Sequence, residues 1–183
     1  MAPAPVRPLR APRSGLTPIR TGNLNLTLVT LAYTQAGWRV FHPVGDGTVA
    51  DFLAVRETPA GVVLEAVQIK AACVHLSRGC LTASLRNPSG LRRVDRTGGD
   101  PECARYRRED IDAFALATDD GRVYRLPVGC FGAGMLPSSV ALRFAPAANG
   151  QSKGTRAAAP FELPLDVSLR VTVLAARERL RAR

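Results

Sequence analysis

Acidic residues are missing from the opening of the chain: residues 1 to 45 contain no aspartate and no glutamate. Any carboxylate chemistry must therefore come from later in the sequence. Lysine is scarce as well, since only Lys70 and Lys153 are lysines among the 25 basic residues. No segment approaches the run of about 18 apolar residues that a membrane-spanning helix needs. The opening "MAPAPVRPLRAPRSGLTPIR" also lacks the apolar stretch of a secretory signal, so a cytoplasmic protein without a membrane partner is expected. Cys73, Cys80, Cys103 and Cys130 include no CxxC pair. Even with His75, "CVHLSRGC" is looser than structural zinc sites usually are, and reduced, partly buried thiols are the simpler reading. No internal repeat and no small-molecule cofactor motif is found.

What is present is basic. A chain of 183 residues, 46% hydrophobic, suits one domain with a real core. Its formal charge of +10 makes a polyanion the first partner to consider, with a merely solvated cationic surface as the alternative. Residues 1–20 hold four arginines and five prolines and read as a disordered basic arm able to follow a phosphate backbone.

Leu24, Leu28, Leu31 and Ala32 recur near helical spacing, with Asn or Thr available as a cap and Gly37 as a stop, which predicts a helix over 23–36. "WRVFHPV", "DFLAVRE", "VVLEAVQIKAA" and "CLTASLR" read as strands. Residues 87–105, rich in Gly, Pro and Arg, read as a long surface loop. "IDAFALA", "GRVYRLPV" and "SVALRF" are three more strands, the first two joined by the turn "TDDG". From Ala145 the chain reads as irregular, and "LAARERLRAR" as a short basic helix.

Glu65, Gln68 and Lys70 interrupt an otherwise apolar strand, and lysine is rarely buried without a partner or a role. If "DFLAVRE" and "VVLEAVQIK" form a hairpin around Thr58, Pro59, Ala60 and Gly61, then Glu57 faces Val62, Val55 faces Leu64 and Leu53 faces Ala66. Continued, this register sets Asp51 opposite Gln68, with Lys70 two residues further on the same face and Glu65 on the other. Opposed residues bring their Cβ atoms to about 5 Å, close enough for a carboxylate and an amide oxygen to share a hard cation such as Mg²⁺. A lysine beside that cation stabilises charge on a phosphate or helps to deprotonate a water, which suits phosphodiester hydrolysis. The competing reading makes Asp51 and Lys70 a structural ion pair at a sheet end, with Gln68 hydrogen-bonded nearby.

"GWRVFHPVGDGTVADFLAV", "EAVQIKAA", "REDIDAFAL", "GRVYRLPV" and "SVALRFAPAANGQSKGTRAAAPFE", in that order, resemble the PD-(D/E)xK endonuclease family that includes group I intron homing endonucleases, over about residues 20–163. The resemblance implies an α/β fold: a mixed central β-sheet flanked by helices, with a restriction-endonuclease-like core. It implies Mg²⁺-dependent (or Mn²⁺-dependent) cleavage of DNA, with Asp51, Gln68 and Lys70 as catalytic residues and Asp51, Gln68 and the Ile69 carbonyl as metal ligands. The motif's acidic position is held here by Gln68. Family members carry a glutamate on the first helix, four residues after its glycine, and counting from Gly22 that position is Leu26. Asn23 and Asp46 are the nearest oxygen donors, each with a simpler role as helix cap or turn residue. Two readings follow: an endonuclease weakened by the loss at Leu26, or a nuclease fold kept for DNA binding or assembly without cleavage.

The expected organisation is a basic arm over 1–20, a nuclease-like domain over 21–163 and a basic tail over 164–183. Arg92, Arg93, Arg96, Arg105, Arg107 and Arg108 cluster in and after the long loop as candidate DNA-phosphate contacts. Arg177, Arg179, Arg181 and Arg183 are further candidates for diffuse attraction. Cutting both strands of a duplex needs two sites, so a homodimer or larger assembly is expected.

Overall fold

The computed structural model describes residues 18–43, 49–87, 105–146 and 156–181. Helix α1 (Pro18–Gln35) is followed by strands β1 (Arg39–Phe41), β2 (Phe52–Thr58), β3 (Gly61–His75), β4 (Cys80–Ser84), β5 (Ala113–Thr118), β6 (Val123–Pro127), β7 (Ser139–Arg143) and β8 (Arg156–Ala157), and by helix α2 (Val167–Arg181). All eight strands belong to one mixed sheet. The α/β expectation holds, with a larger sheet and fewer helices than "flanked by helices" implies.

The β2–β3 hairpin has the expected register, with Glu57 paired to Val62, Val55 to Leu64 and Leu53 to Ala66. Thr58 and Gly61 are themselves paired, so the turn is shorter than the four residues expected. The Thr58 hydroxyl donates to the Gly61 carbonyl at 2.8 Å, and Gly61 takes φ +124°, a conformation open to glycine. β3 is the spine of the sheet. β2 pairs with it up to Val67, β5 runs parallel to it from Val67 to Ala72, and β4 pairs antiparallel from Ala72 to His75.

The core lies on both faces of this sheet. On one, Leu28, Val29, Ala32 and Tyr33 of α1 pack on Phe52, Ala54, Val67, Ala113, Ala115, Ala117 and Val123. On the other, Ala72, Leu81, Phe114, Leu116, Tyr124, Leu126 and Leu142 meet Tyr106 and Leu136. β5 is buried along its whole length, and its sequence "AFALAT" alternates small and large side chains. The alanines lie in the cluster that α1 packs against, while Phe114 and Leu116 fill the other face, so one strand serves two differently shaped layers.

Three expectations are corrected. α1 begins at Pro18, within the segment expected to be disordered, because proline is tolerated in the first turn of a helix. The segment after Ala145 contains β8, which pairs parallel with β7. The C-terminal segment is helical as expected, but the helix is longer than the short one read from "LAARERLRAR", spanning 15 residues from Val167. Arg177 on α2 is 8% exposed and pairs with Asp119 at 2.5 Å, so it adds nothing to a diffuse surface charge.

Candidate active site

The site is created by a gap in the pairing of β3. Val67 pairs with both Phe52 and Ala113, and Ala72 with both Ala83 and Thr118, so β2 and β4 share one edge of β3 while β5 takes the other. Between Val67 and Ala72 the shared edge borders neither β2 nor β4, and a fork opens there. The Val67 carbonyl accepts from Asp51 N on this edge at 2.9 Å. Backbone groups alternate edges along a strand, so the N–H and C=O of Ile69 face the fork.

Asp51 closes the end of the fork. Its Oδ2 accepts a hydrogen bond from Ile69 N at 2.6 Å and another from Gln68 Nε2, which also lies 3.3 Å from the Ile69 carbonyl oxygen. Gln68 is 9% exposed, an amide buried among groups that need a donor or a cation. Burial raises the Asp51 carboxyl above its ordinary pKa, and the Ile69 N–H, the Lys70 charge and the Gln68 amide oppose that rise.

Lys70 stands beside this group without forming an ion pair with Asp51 among the described residues. Its Nζ donates to the Arg86 carbonyl at 2.9 Å and to the Tyr106 hydroxyl at 2.8 Å, and lies 4.7 Å from the Tyr106 ring centroid. Burial lowers the amine to about 8, against the pull of Asp51 in the other direction. Tyr106 is 3% exposed and packs edge-on against Phe114, with ring centroids 5.5 Å apart. Burial and the Asp51 charge push its phenol upward, so it stays protonated.

The back of the sheet is separate. Glu65 lies there as expected, paired bidentately with Arg125, whose guanidinium is 5.4 Å from the Trp38 ring centroid.

The fork fits a hard divalent cation. The Asp51 carboxylate, the Ile69 carbonyl and the Gln68 amide, turned to present its oxygen, form a three-oxygen set of the kind that leaves room for several waters. The set carries one negative charge, and no group of three His, Cys, Asp or Glu side chains occurs among the described residues. Leu26 is half-buried on α1 and supplies no oxygen from its side chain. Asn23 lies inside the helix rather than at its cap, exposed, with its carbonyl accepting from the Thr27 hydroxyl. The buried amide of this helix turn is Asn25, 5% exposed. Asp46 lies outside the described residues.

The arginine cluster divides. Arg92, Arg93 and Arg96 lie outside the described residues. Arg105 is half-buried and Arg107 exposed, with Glu109 at 3.9 Å. Arg108 is corrected: its guanidinium donates to the carbonyls of Gly134 at 2.7 Å, Val128 at 3.1 Å and Gly132, so it pins a loop instead of facing a phosphate. Tyr106 and Arg86 escaped the sequence reading. The available signal was Tyr106 itself, an aromatic set within the charged run "ARYRRED".

Residues 18–164 match the family described as PD-(D/E)XK endonuclease. The chain belongs to this family. The PD-(D/E)XK match begins with the first residue of α1 and ends just before α2, so the fork lies within it and α2 beyond it. PD-(D/E)XK nucleases generally use divalent metals. Among solved structures, that of a bacterial homing endonuclease, I-Ssp6803I, is similar at 15% identity and a TM-score of 0.49, over 91% of this chain and 97% of that one. No curated protein matches the chain.

Proposed function

We propose that the protein is a divalent-cation-dependent DNA endonuclease that hydrolyses phosphodiester bonds at the β3 fork. The observation that carries this reading is the convergence of the Asp51 carboxylate, the Gln68 amide and the Ile69 carbonyl on one unpaired strand edge beside Lys70. Asp51, Gln68 and the Ile69 carbonyl would hold the Mg²⁺ or Mn²⁺ ion, which would supply positive charge to the phosphate and lower the pKa of the attacking water. Lys70, with its amine near pH 8, takes the proton of the attacking water when neutral and offsets phosphate charge when protonated. Arg105 and Arg107, with Arg92, Arg93 and Arg96, contact the DNA backbone without reading bases. Cleavage of both strands calls for a second copy, and the chain works in the cytoplasm as a homodimer or larger assembly. Among the described residues no helix is long and apolar enough to cross a membrane.

The test is nicking of supercoiled plasmid and branched DNA in Mn²⁺ and Mg²⁺. Cleavage that EDTA stops, and that Lys70→Ala and Asp51→Asn reduce by at least about 100-fold, supports the enzyme. The single carboxylate of the fork favours the second reading, DNA binding without cleavage. That reading gains if the wild type binds DNA in a salt-dependent way, never nicks it, and Leu26→Glu restores nicking.

A further inference from the structure

Lys70 is held by two acceptors whose roles are not interchangeable. The Arg86 carbonyl can only accept. The Tyr106 oxygen accepts from Nζ while its own hydrogen is free to point elsewhere. A tetrahedral amine with Cε and two such hydrogen bonds has one position left. In the ammonium that position is the third N–H, and in the neutral amine it is the lone pair. Tyr106 is well placed to fix this orientation: it is 3% exposed, packed edge-on against Phe114, and has its hydroxyl 2.8 Å from the same nitrogen. The two acceptors lie 16 and 36 residues from Lys70 in the chain, so the arrangement is tertiary rather than a local accident.

We propose that Tyr106 is the positioning residue of Lys70: its phenol oxygen, together with the Arg86 carbonyl, holds two of the amine hydrogens and turns the remaining tetrahedral position toward the fork. The proposal rests on the nuclease reading for its consequence in catalysis, but the positioning itself can be measured without activity. In this scheme Tyr106 touches Lys70 and neither the attacking water nor the phosphate. It acts through Lys70 alone.

Because the chain has only two lysines, lysine-selective ¹⁵N and ¹³C labelling gives one Lys70 signal once Lys153→Arg removes the other. In the metal-free protein, the expected wild-type result is an observable, slowly exchanging Lys70 ammonium at low pH and a rigid ε-methylene. Tyr106→Phe keeps the ring and its packing but loses the acceptor. It is expected to broaden the ammonium signal beyond detection, loosen the ε-methylene, and lower kcat on plasmid DNA by roughly tenfold with KM unchanged. A merely structural tyrosine would lower thermal stability while leaving the Lys70 signals as they were, and that outcome overturns the proposal. If wild type does not cleave DNA but Tyr106→Phe still frees Lys70, the nuclease reading fails and the positioning stands. If cleavage occurs and Tyr106→Phe changes neither the Lys70 signals nor kcat, the positioning fails and the nuclease reading stands.

Discussion

At the scale of single residues, Lys70 is kept where it does not favour folding. Its amine titrates near 8 in the folded protein and at its ordinary 10.5 when unfolded, because burial penalises the ammonium. Between those values the unfolded chain binds more protons, so the Lys70 contribution to stability rises with pH across about 8 to 10.5 and is least favourable below 8. Compared with Lys70→Met, the wild type is therefore expected to gain stability as pH goes from 7.5 to 10, measured by urea unfolding at each pH. A pH-independent difference would contradict this account. Asp51 shows the same cost with the opposite charge. Its carboxyl pKa is raised, so its ionised form is disfavoured until a cation arrives. Mn²⁺ is expected to raise the thermal midpoint of the wild type and not that of Asp51→Asn, and Leu26→Glu is expected to enlarge the shift. A buried amide, a raised carboxyl and a lowered amine on one strand edge are a pattern that pure packing would avoid.

At the scale of elements, the fork follows from the length of β3. One strand of 15 residues carries β2 along its first half and β4 along its last four positions, and the stretch between them is where Gln68, Ile69 and Lys70 lie. The hairpin register was legible because side chains alternate with period two and the turn residues set the starting pair. The opening of the sheet was not, because it depends on where β4 rejoins after the turn through Leu76–Arg78. The start of α1 was missed for a local reason, proline composition outweighing helical spacing. β8 was missed because two residues give no period to read. α2 is tied to the β5–β6 turn by the Arg177–Asp119 pair and by Arg170, whose Cγ lies 2.8 Å from where a Cβ on Gly121 would stand. Gly121 also has φ +77°. Gly121→Ala is therefore expected to destabilise the protein by about 1–3 kcal/mol in denaturant unfolding and to release α2 to proteolysis. An unchanged midpoint would show that α2 docks without this contact.

At the scale of the whole molecule, the +10 charge is distributed less freely than composition implies. Arg108, Arg125 and Arg177 are committed to carbonyls or carboxylates within the fold. The arginines that remain for DNA are expected to reveal themselves in the salt dependence of binding. Arg107→Ala should reduce the slope of log affinity against log salt by about 1. Arg108→Ala should leave that slope unchanged and lower stability by about 1–3 kcal/mol, since it removes charge-assisted hydrogen bonds to three backbone carbonyls. Equal slope changes for both variants would refute this division.

The sequence by itself determined seven of the eight strands, the hairpin register from Glu57–Val62 to Leu53–Ala66, and the sidedness that sends Glu65 to the back, because these depend on local periodicity and turn chemistry, while the class of protein rested on the family resemblance. Only the tertiary structure decided that the edge of β3 opens at Ile69, that Lys70 is held by Arg86 and Tyr106, and that Arg108 is a structural clamp. Those facts depend on the closure of segments far apart in the chain, where neither composition nor spacing says which donor meets which acceptor.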